Sequence, residues 1–243
     1  MIKRLLYHFG YYPNIFLSYM PFKIYEFKEI LKEVKFSKNE IILDVGCGNG
    51  LQTVLLGKRC KKIIGIDVSE EAITYARRFS LMWMGKRNNC EFRRAKIDDG
   101  FADEYFDKIF SICVIQLIPN YIEVLKEAQR ILKKGGQMVF SVDSLETIED
   151  GELLEKHKKN YQVEQYFREK NIRKILEEVG FKKIAIYPIF KSSFAKKLFV
   201  EGINNGFRFG RWRSIFEYFR LRYEEMLSAD KEKGILLIVK CYK

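Results

Sequence analysis

Several residue types that often define a fold or a site are scarce in this chain of 243 residues, which has two histidines, four prolines and two tryptophans. The five cysteines are Cys47, Cys60, Cys90, Cys113 and Cys241, and no two of them form a C-x-x-C pair. This scatter argues against a zinc site or a disulfide scaffold. It favours a reducing compartment, so we expect a cytoplasmic protein.

Long hydrophobic runs are absent as well. No stretch of about 18 or more apolar residues occurs, so the sequence predicts no transmembrane helix. Near the start, Lys3 and Arg4 precede an apolar and aromatic run, but Gly10 and Pro13 interrupt it and no small-residue cleavage site follows. We therefore predict no signal peptide. The apolar content of 47% is enough for a sizeable core, and the length fits one elaborated domain or at most two.

The most informative segment runs from Ile41 to Gly50, where an apolar strand enters a turn of the form Asp-x-Gly-x-Gly-x-Gly. Its glycines let the backbone approach a ligand where a Cβ atom would collide. The N–H groups that open the next helix favour an anionic group. Asp67 ends a second apolar strand 21 residues after Gly46, the spacing at which a carboxylate reaches ribose hydroxyls. The pattern predicts a nucleoside cofactor and makes an enzyme the leading hypothesis.

Two details distinguish this turn from that of dinucleotide-binding dehydrogenases. Their fingerprint is G-x-G-x-x-G, whereas here the third glycine is Gly50 and Leu51 follows it. Asp44 also places an acid where a dehydrogenase strand is normally apolar, and an acid suits a cationic ligand. The segment resembles the first motif of the class I S-adenosylmethionine-dependent methyltransferases of small-molecule type. The resemblance implies that S-adenosylmethionine (SAM) is the cofactor, with Asp44 and the Gly46 to Gly50 backbone around its methionine part and Asp67 on its ribose.

The adenine contact is expected after a third strand. In the resembling family an acid at this place accepts a hydrogen bond from the adenine exocyclic amine, which implies that role for Asp98, with Ile97 against the ring. Asp99 is an alternative, and either acid could be a solvated turn residue. The cofactor-binding residues predicted in this way are Asp44, Gly46, Cys47, Gly48, Asp67, Val68, Ile97, Asp98 and Ser111. No metal site is predicted.

Alternating strand and helix patterns predict an α/β fold with a mostly parallel sheet covered on both faces. We expect strands at 41–45, 63–67, 90–94, 107–113, 137–143, 182–189 and 235–241. Expected helices include Ser69 to Phe79 with Ser69 as N-cap, Asn120 to Leu132 ending at Gly135-Gly136, and Glu169 to Val179 ending at Gly180. The resemblance implies a Rossmann-like, doubly wound, seven-stranded sheet of order 3-2-1-4-5-7-6 with an antiparallel last strand.

Three additions depart from this frame. They are an N-terminal helical extension over residues 1–35, the segment from Leu145 to Phe167, and a helical insertion over 191–233. The SAM-binding core is expected at 36–190 plus 234–243. Ligand crevices in such sheets lie beyond the carboxyl ends of the strands, so we expect these helical additions to act as a lid over the substrate site.

The insertion is basic and aromatic. The segment from Lys191 to Tyr223 contains eight Lys or Arg and two Glu. Its net charge of +6 is half of the chain's net charge of +12. The composition of 206–223 could stack bases, clamp phosphates or rest on an anionic membrane surface. Apolar residues also recur here at helical spacing, namely Trp212, Ile215, Phe216, Phe219, Tyr223, Met226 and Leu227. This spacing favours a helix that buries the stripe on the core and exposes its arginines.

Methyl transfer from a sulfonium is an in-line displacement, so the protein must hold a nucleophile against the methyl group and add a base where the nucleophile loses a proton. We hypothesise that His157, after the fifth strand, is the base for a hydroxyl acceptor; the alternative is a solvated helix histidine. Gln116 follows the fourth strand, where the resembling family borders both cofactor and substrate, and could orient the acceptor. Cys113 is expected to be a small buried residue rather than a nucleophile.

The function predicted is therefore methyl transfer from SAM to a small molecule, or to a glycan or lipid precursor, at oxygen. The run from Glu91 to Leu117 also looks like arsenite methyltransferases, but the scattered cysteines do not supply the rest of a thiolate site. The motifs of DNA base methyltransferases are missing. The positive charge fits phosphorylated or lipid-linked substrates and anionic membranes, and nucleic acid less well. Two alternatives stay open, an RNA methyltransferase that uses 206–223 and a non-catalytic SAM-binding regulatory protein.

Overall fold

The computed structural model describes residues 21–85, 88–229 and 233–243, and a single sheet lies at its centre. The strands are β1 Ile41–Val45, β2 Lys62–Asp67, β3 Cys90–Arg94, β4 Phe106–Ile112, β5 Leu132–Asp143, β6 Lys182–Ile189 and β7 Leu236–Tyr242. Their order is β3-β2-β1-β4-β5-β7-β6 in a seven-stranded sheet. All pairs are parallel except those of β7, which runs antiparallel to both β5 and β6. The predicted fold class, strand order and antiparallel last strand are confirmed.

The sheet separates two apolar cores. Successive strand residues point to opposite faces, so Ile42 and Ile63 join one cluster while Leu43 and Ile64 join the other. The helices that supply the rest of both cores are α1 Pro21–Lys32, α2 Leu51–Gly57, α3 Glu70–Met84, α4 Tyr121–Ile131, α5 Gly151–Tyr161, α6 Glu169–Val179, α7 Ser193–Asn205 and α8 Arg211–Leu227. Strands buried on both faces explain the near-continuous apolar runs of the sequence.

Helix α3 begins where its capping residue predicts. The Ser69 hydroxyl accepts a hydrogen bond from the Ala72 N–H at 3.2 Å, which satisfies a donor that the first turn would otherwise leave unpaired. The helix continues to Met84, five residues beyond the predicted end. It is longer because its buried face continues through Ser80 and Trp83. Helix α6 has the predicted bounds, and Gly180 follows it in the left-handed conformation at φ 101°.

The prediction that a helix ends at Gly135-Gly136 was wrong. Helix α4 ends at Ile131, and β5 begins at the next residue. The pairing of β5 with β4 then shifts register. In the shifted stretch Gly135, at φ 74°, donates its N–H to the Lys243 carbonyl, and the Lys243 N–H donates to the Gly136 carbonyl. The two glycines therefore belong to an irregular, bulge-like stretch of a strand, where a positive φ is also needed.

The N-terminal extension contains α1, the segment from Leu145 to Phe167 contains α5, and the insertion over 191–233 contains α7 and α8. Phe22 of α1 packs edge-on against Phe190, Phe199 and Phe207, with ring centroids 4.8 to 5.9 Å apart. This aromatic cluster joins the N-terminal helix to the insertion. Residues 1–20 of the predicted extension lie outside the described residues. No helix in the described part of the chain is both long enough and apolar enough to cross a membrane.

Helix α8 forms as predicted, but the prediction that it buries its apolar stripe on the core was wrong. Six stripe residues are 58 to 74% exposed, namely Trp212, Phe216, Phe219, Tyr223, Met226 and Leu227. The helix buries Ser214, Tyr218, Leu221 and Glu225 instead. Helical period places both sets on defined faces, but it does not say which face meets the core. On the buried face, the Tyr218 hydroxyl accepts from the Lys28 ammonium of α1 at 2.7 Å, and the Glu225 carboxylate accepts from the backbone N–H groups of Lys191 and Ser192.

Candidate active site

The glycine-rich loop between β1 and α2 turns sharply at the carboxyl edge of the sheet. The N–H groups of Gly46 and Cys47 both donate to the Ile66 carbonyl, at 2.8 and 2.9 Å. A Cβ atom on Gly46 would lie 2.4 Å from the Val114 side chain, so this glycine is required by packing. Gly48 differs, because at φ 51° its Cβ position meets nothing within 4 Å. The loop thus packs against the protein at Gly46 and leaves open space at Gly48.

A cavity of about 460 Å³ lies over this loop. Its volume is in the range of small-molecule and cofactor sites. The residues that line it are Lys23, Gly46, Cys47, Gly48, Asn49, Leu51, Gln52, Tyr75, Phe79 and Ile112. The predicted Gly46, Cys47 and Gly48 are among them, whereas the side chains from α1, α2 and α3 were missed. Tyr75 and Phe79 could have been found, because they lie one helical turn apart just after Asp67.

Asp67 ends β2 with its carboxylate held by two backbone groups. Oδ2 accepts from the Gly48 N–H and Oδ1 accepts from the Ser69 N–H, both at 2.9 Å. A carboxylate oxygen has further lone pairs, so each can also accept from a ligand hydroxyl. Val68, the next residue, is 64% exposed and was predicted at the same site.

Asp44 lies near the end of β1 and is almost fully buried. Its Oδ2 accepts a hydrogen bond of 2.6 Å from the Thr53 hydroxyl of α2. Burial raises the pKa of Asp44 to about 7, and the negative charge of Asp67 acts in the same direction, although the Thr53 hydrogen bond opposes both. A cation bound nearby would stabilise the charged form. The carboxyl group is therefore suited to a positively charged ligand.

The segment after β3 holds the two acids considered for adenine. The Asp99 carboxylate accepts from the Lys96 N–H at 2.7 Å and so closes its own turn. Asp98 is exposed, and its carboxylate makes no hydrogen bond or ion pair with the described residues. Ile97 is 5% exposed beside them. Ser111 is fully buried in β4, does not line the cavity, and has no hydrogen-bond partner for its hydroxyl among the described residues.

A buried polar cluster that was not predicted includes Cys113, the residue after the cavity-lining Ile112. Glu26 of α1 is its centre and is fully buried. Its carboxylate accepts from Lys23 at 3.0 Å, from the Cys113 thiol at 2.9 Å, and from the Ser141 hydroxyl of β5. Burial raises the pKa of the Cys113 thiol, and the Glu26 charge raises it further, so the thiol is protonated at neutral pH. Lys23 links this cluster to the cavity that it lines.

Gln116 and Asp143 extend the cluster. Burial raises the pKa of Asp143 to about 7, although the Lys23 charge and a hydrogen bond from the Gln116 side chain act against it. Gln116 is 2% exposed, and its Oε1 atom has no hydrogen-bond partner among the described residues. An unpaired buried carbonyl oxygen is costly, so a ligand donor at this place would be favoured.

His157 lies on α5 and is buried rather than solvated, with 4% exposure. Its ring packs against Tyr161 and Phe199 at 5.0 and 5.5 Å, and it does not line the cavity. The Tyr166 hydroxyl donates to the Leu154 carbonyl at 3.0 Å, so the 3.1 Å contact with His157 requires Nδ1–H to donate to that hydroxyl. Burial lowers the pKa of His157 to about 4, and the neutral ring keeps its lone pair on Nε2.

The residues around the glycine loop fit SAM as a ligand. The space at Gly48 is one that a Cβ would fill, Asp67 is fixed with acceptor capacity to spare, and Asp44 favours a nearby cation. The strand order and a glycine loop of this kind at the end of β1 define the class I SAM-dependent methyltransferases. In the described residues no group of three or more His, Cys, Asp or Glu side chains is arranged to hold a metal ion.

Comparison with known proteins agrees with this class. A family model described as a methyltransferase domain matches residues 36–180, and the chain belongs to that family. It is 32% identical over 128 residues to an arsenite methyltransferase of Mus musculus, covering 48% of this chain and 34% of that protein. It is 28% identical over 141 residues to a demethylmenaquinone methyltransferase of Alkalihalophilus pseudofirmus, covering 56% and 58%. The alignments therefore span about a third to three fifths of these relatives.

Solved structures share the fold. The Haemonchus contortus phosphoethanolamine N-methyltransferase 2 in complex with SAM superposes with a TM-score of 0.67 at 18% identity, covering 89% of this chain and 52% of that one. The Streptomyces coelicolor geranyl diphosphate C-methyltransferase, bound to S-adenosylhomocysteine, gives 0.65 at 11% identity, covering 90% and 79%. Identity this low supports the fold alone. Together with the family, it makes this chain a class I SAM-dependent methyltransferase, the class and cofactor predicted from its first motif.

Proposed function

We propose that the protein transfers the methyl group of SAM to an oxygen atom of a small molecule or of a glycan or lipid precursor. The observation that carries the proposal is one cavity that extends from the glycine loop to Ile112 and Lys23. The loop end suits a nucleoside cofactor. The other end adjoins a buried cluster of hydrogen-bonding groups where an acceptor can be held.

The cofactor would lie along the carboxyl ends of β1 to β4. We place its methionine part at Asp44, Gly46, Cys47 and Gly48, and its ribose at Asp67 with Val68 beside it. Adenine is assigned to Ile97 and Asp98, a choice supported by the Asp99 carboxylate being used within its own turn. Ser111, whose buried hydroxyl lacks a protein partner among the described residues, is retained as a further contact.

Bound SAM supplies an electrophilic methyl group on a positively charged sulfur. With SAM bound, this carbon would pass to the acceptor oxygen, and the electron pair of the broken carbon–sulfur bond would stay on sulfur. Gln116 would orient the acceptor through its unpaired Oε1. The hydroxyl proton must pass to a base, and efficiency is greatest when the pKa of that base lies near the working pH.

Two residues are candidates for this base. His157, the candidate from the sequence, has its Nε2 lone pair available but a pKa of about 4, which makes it a weak proton acceptor. Asp143 has a pKa of about 7 and adjoins Gln116 and Lys23. Asp143 is favoured because its neighbour Lys23 lines the cavity and because its pKa lies near neutral pH, and His157 is the alternative.

The names of relatives support a small-molecule acceptor. They include a demethylmenaquinone methyltransferase and, at 30% identity over 113 residues, a ubiquinone biosynthesis O-methyltransferase of Hydrogenovibrio crunogenus. The second name favours oxygen. Arsenite methyltransferases are also among the relatives, but the Cys113 thiol is protonated and donates to Glu26, so we do not assign it a role in binding arsenic.

The deciding experiment incubates the purified chain with methyl-labelled SAM and fractionated cell extract and follows the label. Label in a small-molecule or glycolipid pool, stable to mild acid and located on oxygen by mass spectrometry, is the expected result. Label in RNA would establish the RNA alternative instead. Thermal stabilisation by SAM with no labelled product in any pool would favour the regulatory alternative. A parallel incubation with Asp67→Ala controls for label transferred by contaminating enzymes.

A further inference from the structure

The outward face of α8 is apolar along most of its length. Phe216, Phe219, Tyr223, Met226 and Leu227 are 58 to 73% exposed. Each lies three or four residues from another of the set, which places them in one row on a helix of 17 residues that is about 25 Å long. We call this row the α8 stripe. Contiguous exposed apolar surface of this kind marks an interaction site more often than a scattered set of exposed residues does.

Arginines flank the α8 stripe. Helical period puts Arg213 and Arg220 along one side of it and Arg222 along the other, and all three are exposed. Arginine side chains can lay their apolar stems along such a surface and extend the charged group beyond it. The arrangement is therefore an apolar row flanked by arginines, of which Arg213 and Arg220 are paired with glutamates, while Arg222 forms no ion pair with the described residues.

The acidic residues of the insertion that the structure describes are buried or paired, and Glu224 pairs with Arg220. Glu225 is buried and accepts from the backbone N–H groups of Lys191 and Ser192, at 3.0 and 2.8 Å. Glu201 and Glu217 both bind Arg213. By contrast Lys196, Lys197, Arg208 and Arg222 are exposed and form no ion pair with the described residues. The outward surface of the described part of the insertion therefore carries unbalanced positive charge.

We propose that α8 docks the protein on the surface of an anionic phospholipid bilayer, with the α8 stripe inserted at the level of the upper acyl chains and the arginines at the phosphates. An amphipathic helix with aromatic and aliphatic residues on one face and basic residues beside it binds membranes in this orientation. Basic residues near an anionic leaflet add roughly equal increments of binding. Met226 and Leu227 favour lipid over single-stranded RNA, because stacking on bases requires aromatic rings.

The docked helix is connected to the cavity through α1. Helix α8 contacts α1 through Tyr218 and Lys28, and Lys23, in the first turn of α1, lines the cavity. A lipophilic acceptor could then reach the site from the bilayer. This consequence rests on the proposed function, whereas the docking itself does not depend on methyl transfer.

The test measures co-sedimentation of the full chain with vesicles of equal parts phosphatidylglycerol and phosphatidylcholine, and with pure phosphatidylcholine. We expect binding to the anionic vesicles that falls with added salt and at most weak binding to the neutral ones. Trp212 lies on α8 and is 74% exposed, while Trp83 is 3% exposed, so the tryptophan emission should shift to the blue on binding through Trp212.

Variants on exposed positions separate docking from folding. The double variant Phe216→Glu with Phe219→Glu should lose at least about tenfold in vesicle affinity. Leu81→Glu with Met82→Glu is the matched control, because those side chains of α3 are 64 and 51% exposed and lie off the stripe, and it should bind vesicles as the natural chain does. The single variants Lys197→Ser and Arg222→Ser, which each remove one basic residue, should each lower the affinity for anionic vesicles about fivefold.

Four results would overturn the proposal. The first is no binding to anionic vesicles, and the second is equal loss in the two double variants. The third is a blue shift that needs no lipid and follows protein concentration, with a dimer by light scattering, which would assign the stripe to a second copy. Binding of a single-stranded RNA oligonucleotide through the stripe without vesicle binding would assign it to nucleic acid. None of these outcomes bears on whether the chain methylates an acceptor.

Discussion

The Gly48 N–H donates to the Asp67 carboxylate at 2.9 Å, which ties the glycine loop after β1 to the end of β2. A second bond of the same length comes from the Ser69 N–H, so the carboxylate is held from both sides. One acid therefore orders the loop and, in the proposed complex, accepts from the ribose hydroxyls.

We expect Asp67→Ala to weaken SAM binding by about 1.5 to 3 kcal/mol, the range for hydrogen bonds to a charged group. Isothermal titration calorimetry on the purified chain gives the dissociation constant directly. Glu71→Ala, which removes an exposed charge from the first turn of α3 nearby, should leave the constant within about twofold. An Asp67→Ala protein that binds SAM normally would show that the ribose lies elsewhere.

Gly46 and Gly48 should respond differently to the same substitution. Gly48→Ala places a methyl group in open cavity space, so we expect SAM affinity to fall at least about tenfold, with a stability loss of about 1 to 2 kcal/mol from the positive φ. In Gly46→Ala the methyl group meets Val114 at 2.4 Å, so we expect a larger stability loss. Thermal denaturation and titration of both variants check this. If Gly48→Ala bound SAM at full strength, the cofactor would not cross the loop at this point.

The proposed place of Asp44 beside the sulfonium predicts a pH dependence that distinguishes SAM from S-adenosylhomocysteine. The carboxyl has a pKa of about 7 without ligand, and a nearby cation favours its ionised form. Binding of SAM at lower pH must therefore release a proton, so its affinity should rise with pH up to about 7 and then level. Between pH 6 and pH 8, the affinity for SAM should rise about tenfold relative to the affinity for S-adenosylhomocysteine, whose thioether is uncharged.

The quantity to measure is the ratio of the dissociation constants of SAM and S-adenosylhomocysteine. Effects of pH on parts that the two ligands share cancel in this ratio. Asp44→Asn keeps an acceptor for the Thr53 hydroxyl but cannot ionise, so its ratio should not change with pH. A pH-independent ratio in the natural chain would place Asp44 away from the sulfur.

Once an acceptor is known, Asp143 and His157 can be separated by the pH profile of turnover. A base with a pKa of about 7 gives kcat that rises through neutral pH, whereas a pKa of about 4 gives a flat profile above pH 5. We expect the rise, and we expect Asp143→Asn to lower kcat by about 10² or more while SAM affinity stays within about threefold.

His157→Gln is the matched variant, because the amide can still donate to Tyr166. Its kcat should still rise through neutral pH and should stay close to that of the natural chain. The opposite pair of results, loss of turnover in His157→Gln and a normal profile in Asp143→Asn, would restore the histidine as the base.

The glycine loop and its position at the edge of the sheet were predictable because their signals are local. Gly46, Gly48 and Gly50 lie in one short loop, and each adopts a positive φ that follows from the residue type. Asp67 could be placed because parallel strands bring their carboxyl ends to one edge. The alternation of strand and helix patterns gave the fold class in the same way.

The buried cluster around Glu26 was not predictable from the same kind of signal, apart from Gln116. Glu26, Cys113 and Ser141 meet although up to 115 residues separate them, and none belongs to a recognisable motif. Their meeting depends on where α1 packs against the ends of β4 and β5. Helix α8 shows the same limit of apolar periodicity as a predictor. The periodicity located the helix, but the apolar stripe that was predicted to be buried is exposed.

The amino-acid sequence by itself determined the strands, most helices, the glycine loop and its two acids, because each follows from backbone preference or apolar period over a few neighbouring residues. Only the tertiary structure decided which side of α8 faces the core, how β5 absorbs Gly135, and that Lys23, Glu26, Gln116 and Asp143 share one buried cluster. Those outcomes depend on competition among surfaces distant along the chain, and a local pattern carries no information about which surface wins.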